Sequence, residues 1–155
     1  MGVVMFYHLT RSSVEETLLM LLPRAVAQGW RVMLRGGGRA ALEALDTRLW
    51  TLDSLPFLAH GMEGGPHDAE QPVLIGQGAI TNGAQGLFLI DGAATDPAEA
   101  RPLERVWLLF DGNDGGQLST ARQKWKALTE AGLAAQYWSE ESGRWEKKAE
   151  KPGAA

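Results

Sequence analysis

Arg122 and Lys126 stand four residues apart in the run Gln117 to Gly132, QLSTARQKWKALTEAG, with Trp125 between them. At about 100° per residue the two cations stack one turn apart on a helix, and Trp125 lies at the seam between them and the apolar stripe Leu118, Ala121, Trp125, Leu128. Two positive groups beside an indole suit an anionic ligand that carries an apolar side chain, such as the end of a peptide with its C-terminal carboxylate. The same pattern also describes a core-packed amphipathic helix whose Arg122 and Lys126 are solvated, with Lys126 paired to Glu130 at i,i+4. Spacing alone leaves both readings open.

Other candidate chemistry is thinner. Gly36-x-Gly38-x-x-Ala41 follows a predicted strand and fits a loose dinucleotide fingerprint, in which glycines let a pyrophosphate approach a helix N-terminus. A small dinucleotide-binding oxidoreductase using the Gly36 to Ala41 loop is therefore the alternative reading. Against it, the glycines follow the second strand rather than the first, and Asp53, the acid near the expected distance, falls in a turn-like segment. The histidines, His8 in a strand and His60 and His67 in central loops, have no metal-ligand spacing. The chain has no Gly-x-Ser-x-Gly elbow, and Glu15 and Glu16 sit at a helix start, where they oppose the dipole. Phe57 and His60 in LPFLAHG either anchor a loop on the core or wall a pocket. Nothing asks for a catalytic centre, a cofactor or a metal.

The elements that must position these residues follow from pattern. Val3 to Leu9 is a β-branched and aromatic run without clean alternation, as in an inner strand covered on both faces. Ser13 with Glu16 forms a capping box, and Val14, Leu18, Leu21, Leu22 and Val26 continue a helical face to Gly29, with a kink or break expected at Pro23. Trp30 to Leu34, Val73 to Ile75, Leu87 to Ile90, Val106 to Phe110 and Ala134 to Trp138 read as strands, and Arg39 to Trp50 as a second helix. The third helix is the one bearing Arg122, with Asp114 at its start and Gly132 at its end. Five or six strands interleaved with three helices give a three-layer α/β/α, Rossmann-like domain with a mostly parallel central sheet. We place that domain at residues 1–139. Gly61 to Asp68 reads as a loop, Asp91 to Pro102 as a solvated connection, and residues 140–155 as a charged, flexible tail.

Composition narrows the class of function. A chain of 155 residues with 45% apolar and 22% charged content is one globular domain, and its apolar runs are strand-length, so no membrane segment is expected. Met1 to Leu9 carries no basic stretch, so no leader is expected either, and the absence of cysteine fits a reducing, cytoplasmic location. A net charge of −4 without any Lys/Arg block argues against direct nucleic-acid binding.

Taken in order, Phe6-Tyr7, Ala27 to Val32, Leu42 to Trp50, Phe57 to Gly61, Pro72 to Leu74, Asn82-Gly83-Ala84, Phe110 to Gly112, Ala121 to Gly132 and Tyr137-Trp138 resemble the chi subunit of the bacterial DNA polymerase III clamp-loader complex. The chain departs from that pattern at Pro56, Ala59 and Thr129. The resemblance implies a non-catalytic subunit. It would bind the acidic C-terminal tail of single-stranded DNA-binding protein and, in some bacteria, join the clamp loader through a small psi subunit. It also implies that Arg122 and Lys126 are the basic tail-binding positions, Trp125 the aromatic one, and Phe57 an apolar wall.

Overall fold

The computed structural model describes residues 2–51 and 58–153. Phe57 and Pro56 lie outside the described residues. In chain order the elements are β1 (Val3–Leu9), α1 (Val14–Ala27), β2 (Val32–Arg35), α2 (Arg39–Thr51), β3 (His60–Met62), β4 (Val73–Gly76), β5 (Gly86–Leu89), α3 (Pro97–Ala100), β6 (Arg105–Asp111), α4 (Gly115–Glu130), β7 (Ala134–Ser139) and β8 (Glu146–Lys151). The strands form one sheet in the order β3-β4-β2-β5-β6-β1-β7-β8. Every neighbouring pair is parallel except β7 and β8. The fold is thus mixed α/β with a mostly parallel sheet, as the alternation of apolar runs and helical faces predicts.

The period-two geometry of a strand sends alternate side chains to opposite faces, and β1 uses both. Met5 and Leu9 join Leu18, Leu22, Leu42 and Leu45 from α1 and α2 in one core. Val4 and Phe6 join Ala100 from α3 and Ala121 and Leu128 from α4 in the other. The two cores make the protein three layers deep. β1 lies between β6 and β7, so it is the inner strand its composition implies.

Four features differ from expectation. α1 passes through Pro23 without a break, because Leu18, Leu21, Leu22 and Ala25 are buried on both sides of it, and their packing outweighs one lost backbone hydrogen bond. Within the expected loop from Gly61, residues His60–Met62 pair with β4 as a short edge strand. The connection after Asp91 is not simply solvated: it holds one helical turn, capped by the Asp96 side chain on the Glu99 amide, with Ala93 and Ala100 buried. Finally, the segment from Glu140 forms β8 rather than a flexible tail. Its backbone supplies the hydrogen-bond partners that the edge of β7 needs, and Trp145 packs edge-on against Tyr7 at 5.3 Å.

Glu140 fixes the start of that segment. It is 5% exposed, and one of its carboxylate oxygens accepts from the backbone N–H groups of Thr10, Arg11 and Ser12 at 3.1, 3.1 and 2.8 Å. The other accepts from the Ser12 hydroxyl at 2.8 Å. Burial pushes this carboxyl up, but the Ser12, Arg11 and Thr10 bonds together hold it below the usual carboxylate range.

Candidate functional site

α4 is held at both ends by its own sequence. The Asp114 carboxylate accepts from the Gly116 and Gln117 amides at 2.9 and 3.2 Å. Gln117 does not complete a capping box; its side-chain oxygen accepts instead from the Asp111 amide at 2.9 Å, tying the helix to the end of β6. At the other end Gly132 has φ +90°, and the Gly132 and Leu133 amides donate to Thr129 and Leu128, which closes the helix in a Schellman motif. Between these anchors Ala121 and Leu128 are buried, Leu118 and Trp125 half-buried, and Arg122 and Lys126 exposed. The stripe and its basic border are arranged as the spacing predicts.

Trp125 is part of an aromatic floor. Its ring meets Phe6 edge-on at 5.2 Å and Tyr137 edge-on at 5.9 Å, and Phe6 and Tyr137 stack at 6.4 Å. Over this floor opens a cleft of ≈ 380 Å³ whose walls come from β1, α4, β7 and β8. Arg122 lines it, and among the described residues its guanidinium has no hydrogen bond or ion pair. Lys148 lines it from β8, with its ammonium 3.5 Å from Glu146. Lys148 and Ala149 are sequence neighbours, which a regular strand would send to opposite faces, yet both line the cleft. The β7–β8 ladder skips a residue between the Tyr137–Ala149 and Trp138–Lys147 pairs, and that bulge re-aims Lys148.

Of the residues singled out in the sequence, the structure therefore brings Arg122 and Trp125 together. Lys126 projects one turn further along the helix and does not line the cleft. The expected Lys126–Glu130 ion pair is not formed, and among the described residues the Lys126 ammonium has no partner. Thr129 donates its hydroxyl to the Trp125 carbonyl at 2.7 Å, and so belongs to the helix backbone rather than to the cleft. Sequence reasoning missed Lys148, because β8 was read as a tail, and His8 and Tyr137, whose convergence follows only from the β6-β1-β7 strand order.

The glycine-rich loop has a structural role. A Cβ on Gly37 would fall 2.1 Å from the Asp91 carbonyl oxygen and one on Gly36 would fall 2.5 Å from the Leu42 side chain, so close packing accounts for these two glycines, while the space beside Gly38 is open. At the first strand-to-helix turn, the Glu140 carboxylate occupies the amides that would cradle a phosphate. His60 is a buried anchor in β3, with Nδ1 2.6 Å from the Leu58 carbonyl and Nε2 3.2 Å from the Asp46 carbonyl of α2. His67 faces Glu70 at the surface. Among the described residues no group of three or more His, Asp or Glu side chains could hold a metal ion.

A family model described as the DNA polymerase III chi subunit, HolC, matches residues 1–136. The chain belongs to the DNA polymerase III chi subunit family. A search of curated proteins finds no match. The match to the chi family runs from β1 into the first half of β7 and so includes Arg122, Trp125 and Lys126. It ends just before Tyr137, leaving the β8 wall of the cleft outside it. Membership makes the chain a DNA polymerase III accessory subunit, and no helix among the described residues is long and apolar enough to cross a membrane.

Proposed function

We propose that this chi-family subunit is non-catalytic and takes the acidic C-terminal tail of single-stranded DNA-binding protein into the cleft between Arg122 and Lys148. It would thereby link that protein to the clamp loader in the cytoplasm, through a psi subunit where the organism has one. The observation that carries the reading is the unpartnered Arg122 guanidinium beside the Trp125 and Tyr137 rings, in a chain whose net charge is −4. A tail that ends in an acidic residue and Phe needs a cation for its carboxylates and an apolar slot for its ring, and this wall supplies both. With no basic surface block, recruitment to DNA runs through the protein that coats it rather than through direct contact with nucleic acid. A short peptide buries little area, so binding is expected at around micromolar Kd and to weaken with salt.

Titration of a fluorescent tail peptide tests this. Arg122→Ala removes a charge-assisted contact of roughly 1.5 to 3 kcal/mol and should weaken binding about ten- to a hundredfold, with an unchanged melting temperature. Lys126→Ala, one turn from the cleft, should have a smaller effect that fades with salt. Wild-type affinity in an Arg122→Ala variant that melts normally would place the site elsewhere and leave α4 as a solvated helix.

A further inference from the structure

We propose that His8 is a further ligand-recognising residue of this cleft. Its Nε2–H would donate to a carboxylate of the bound peptide, at the place now faced by the carboxylate of Glu141. The inference rests on the reading of the cleft as a peptide site and adds to it a buried N–H donor at the floor.

His8 sits on the α4 side of β1, 8% exposed, with its ring stacked on Phe110 at 5.3 Å and edge-on to Tyr137 at 5.9 Å. Its Nδ1 lies 3.3 Å from the Tyr137 hydroxyl. Burial pushes the Tyr137 phenol up, so it keeps its proton and can donate to Nδ1, which places an N–H on Nε2. Nε2 is buried and has no hydrogen-bond partner among the described residues; the Glu141 carboxylate is 3.7 Å away, beyond hydrogen-bond length. A carboxylate on that side favours the same tautomer that the Tyr137 hydroxyl selects, so both contacts assign the N–H to Nε2.

A buried donor without an acceptor is costly, and the structure of a site often shows where a ligand completes it. The charged groups around His8 are Glu141 from the β7–β8 turn, Arg122 from α4 and Lys148 from β8. From β6 it meets the uncharged Phe110 and Gly112, where a Cβ would overlap Nε2 at 1.9 Å. The Glu141 side chain is 59% exposed and among the described residues its carboxylate makes no hydrogen bond, so it can turn outward. An incoming carboxylate that replaces it would meet the Nε2–H in a cleft that Arg122 and Lys148 also line.

The experiment uses the full chain and two labelled peptides, an acidic one ending in an acidic residue and Phe with a free C-terminal carboxylate, and its C-terminally amidated twin. His8→Leu should weaken the free-acid peptide about three- to tenfold and the amidated one little, since one hydrogen bond to the terminal carboxylate is lost. Tyr137→Phe keeps the ring but loses the hydroxyl that sets the tautomer, and should act in the same direction by less. Glu141→Gln should tighten both peptides. In ¹⁵N spectra the His8 signals should report an Nε2–H tautomer that shifts on adding the free-acid peptide. If His8→Leu and Tyr137→Phe bind both peptides as wild type does while Arg122→Ala does not, the role of His8 is overturned and the cleft stands. If Arg122→Ala also binds normally, the cleft itself is overturned.

Discussion

Arg35 and Arg122 are the same side chain put to opposite uses. Arg35, at the end of β2, donates to both oxygens of Glu99 at 2.7 and 2.8 Å, to the Ala94 carbonyl at 2.9 Å and to the Gly78 carbonyl at 3.2 Å. Arg122, exposed on α4, donates to nothing among the described residues. The first guanidinium is consumed in holding α3 and the β4–β5 connection to the sheet, while the second remains available to an external anion. Lys124, two residues from Arg122, follows Arg35: its ammonium meets the Gly92 and Ala93 carbonyls at 3.1 and 2.6 Å, and burial pushes its pKa down. A cation's type therefore says little about its role, and the acceptors the fold brings to it decide.

The largest expected effect separates the two arginines directly. Glu99→Ala leaves the Arg35 guanidinium buried without its anion, which should cost about 3 kcal/mol and lower the Tm by roughly 10 °C, with tail-peptide affinity unchanged. Equal melting of Glu99→Ala and wild type would break the comparison.

Acid sharpens it next. Arg35 holds the Glu99 carboxyl below the usual carboxylate range, and the amides of the β1–α1 turn do the same for Glu140 against the push of burial. A carboxyl with a depressed folded pKa stabilises fully above its unfolded value, and that stability is lost as pH falls toward the folded value. Thermal melts should thus be flat from pH 8 to 6 and fall below about 4.5, the ordinary carboxyl value. Glu140→Gln should lose about 1 to 2 kcal/mol at neutral pH and show a shallower acid fall. Arg122→Ala should keep the wild-type acid limb, because among the described residues its guanidinium pairs with no carboxylate.

The smallest effect concerns the far wall of the cleft. Lys148→Ala should weaken the tail peptide by only a few-fold, since an exposed cation contributes about 1 kcal/mol or less, and should leave the melt unchanged. An effect as large as that of Arg122→Ala would mean that β8, not α4, supplies the principal cation.

The sequence made most of this scaffold legible where periodicity and caps agree: the inner strand β1, the Ser13–Glu16 box of α1, and α4 between Asp114 and Gly132. It failed where an element has too little apolar pattern to announce itself. β3 is three residues with a glycine at its centre, and β8 reads EKKAEK, with no alternation, because it is formed by the backbone needs of β7 rather than by a buried face of its own. The helical half of the cleft was visible because Arg122 and Trp125 belong to one period. The floor and far wall were not, because His8, Tyr137 and Lys148 meet through strand order and a bulge, neither of which local spacing encodes.

The charge pattern of β8 has a bearing on how the molecule behaves among copies of itself. A sheet that is not closed offers unpaired N–H and C=O groups along its outermost strands, an invitation to edge-to-edge stacking. Here, among the described residues, the β3 border is only three residues long, and along the β8 border five of six side chains are lysine or glutamate. A strand approaching β8 would have to desolvate that row of charges before its first backbone bond formed. The segment that reads as a charged, flexible tail thus covers the edge of β7, and trimming it should expose Ala135, Tyr137 and Trp138 to edge-to-edge pairing.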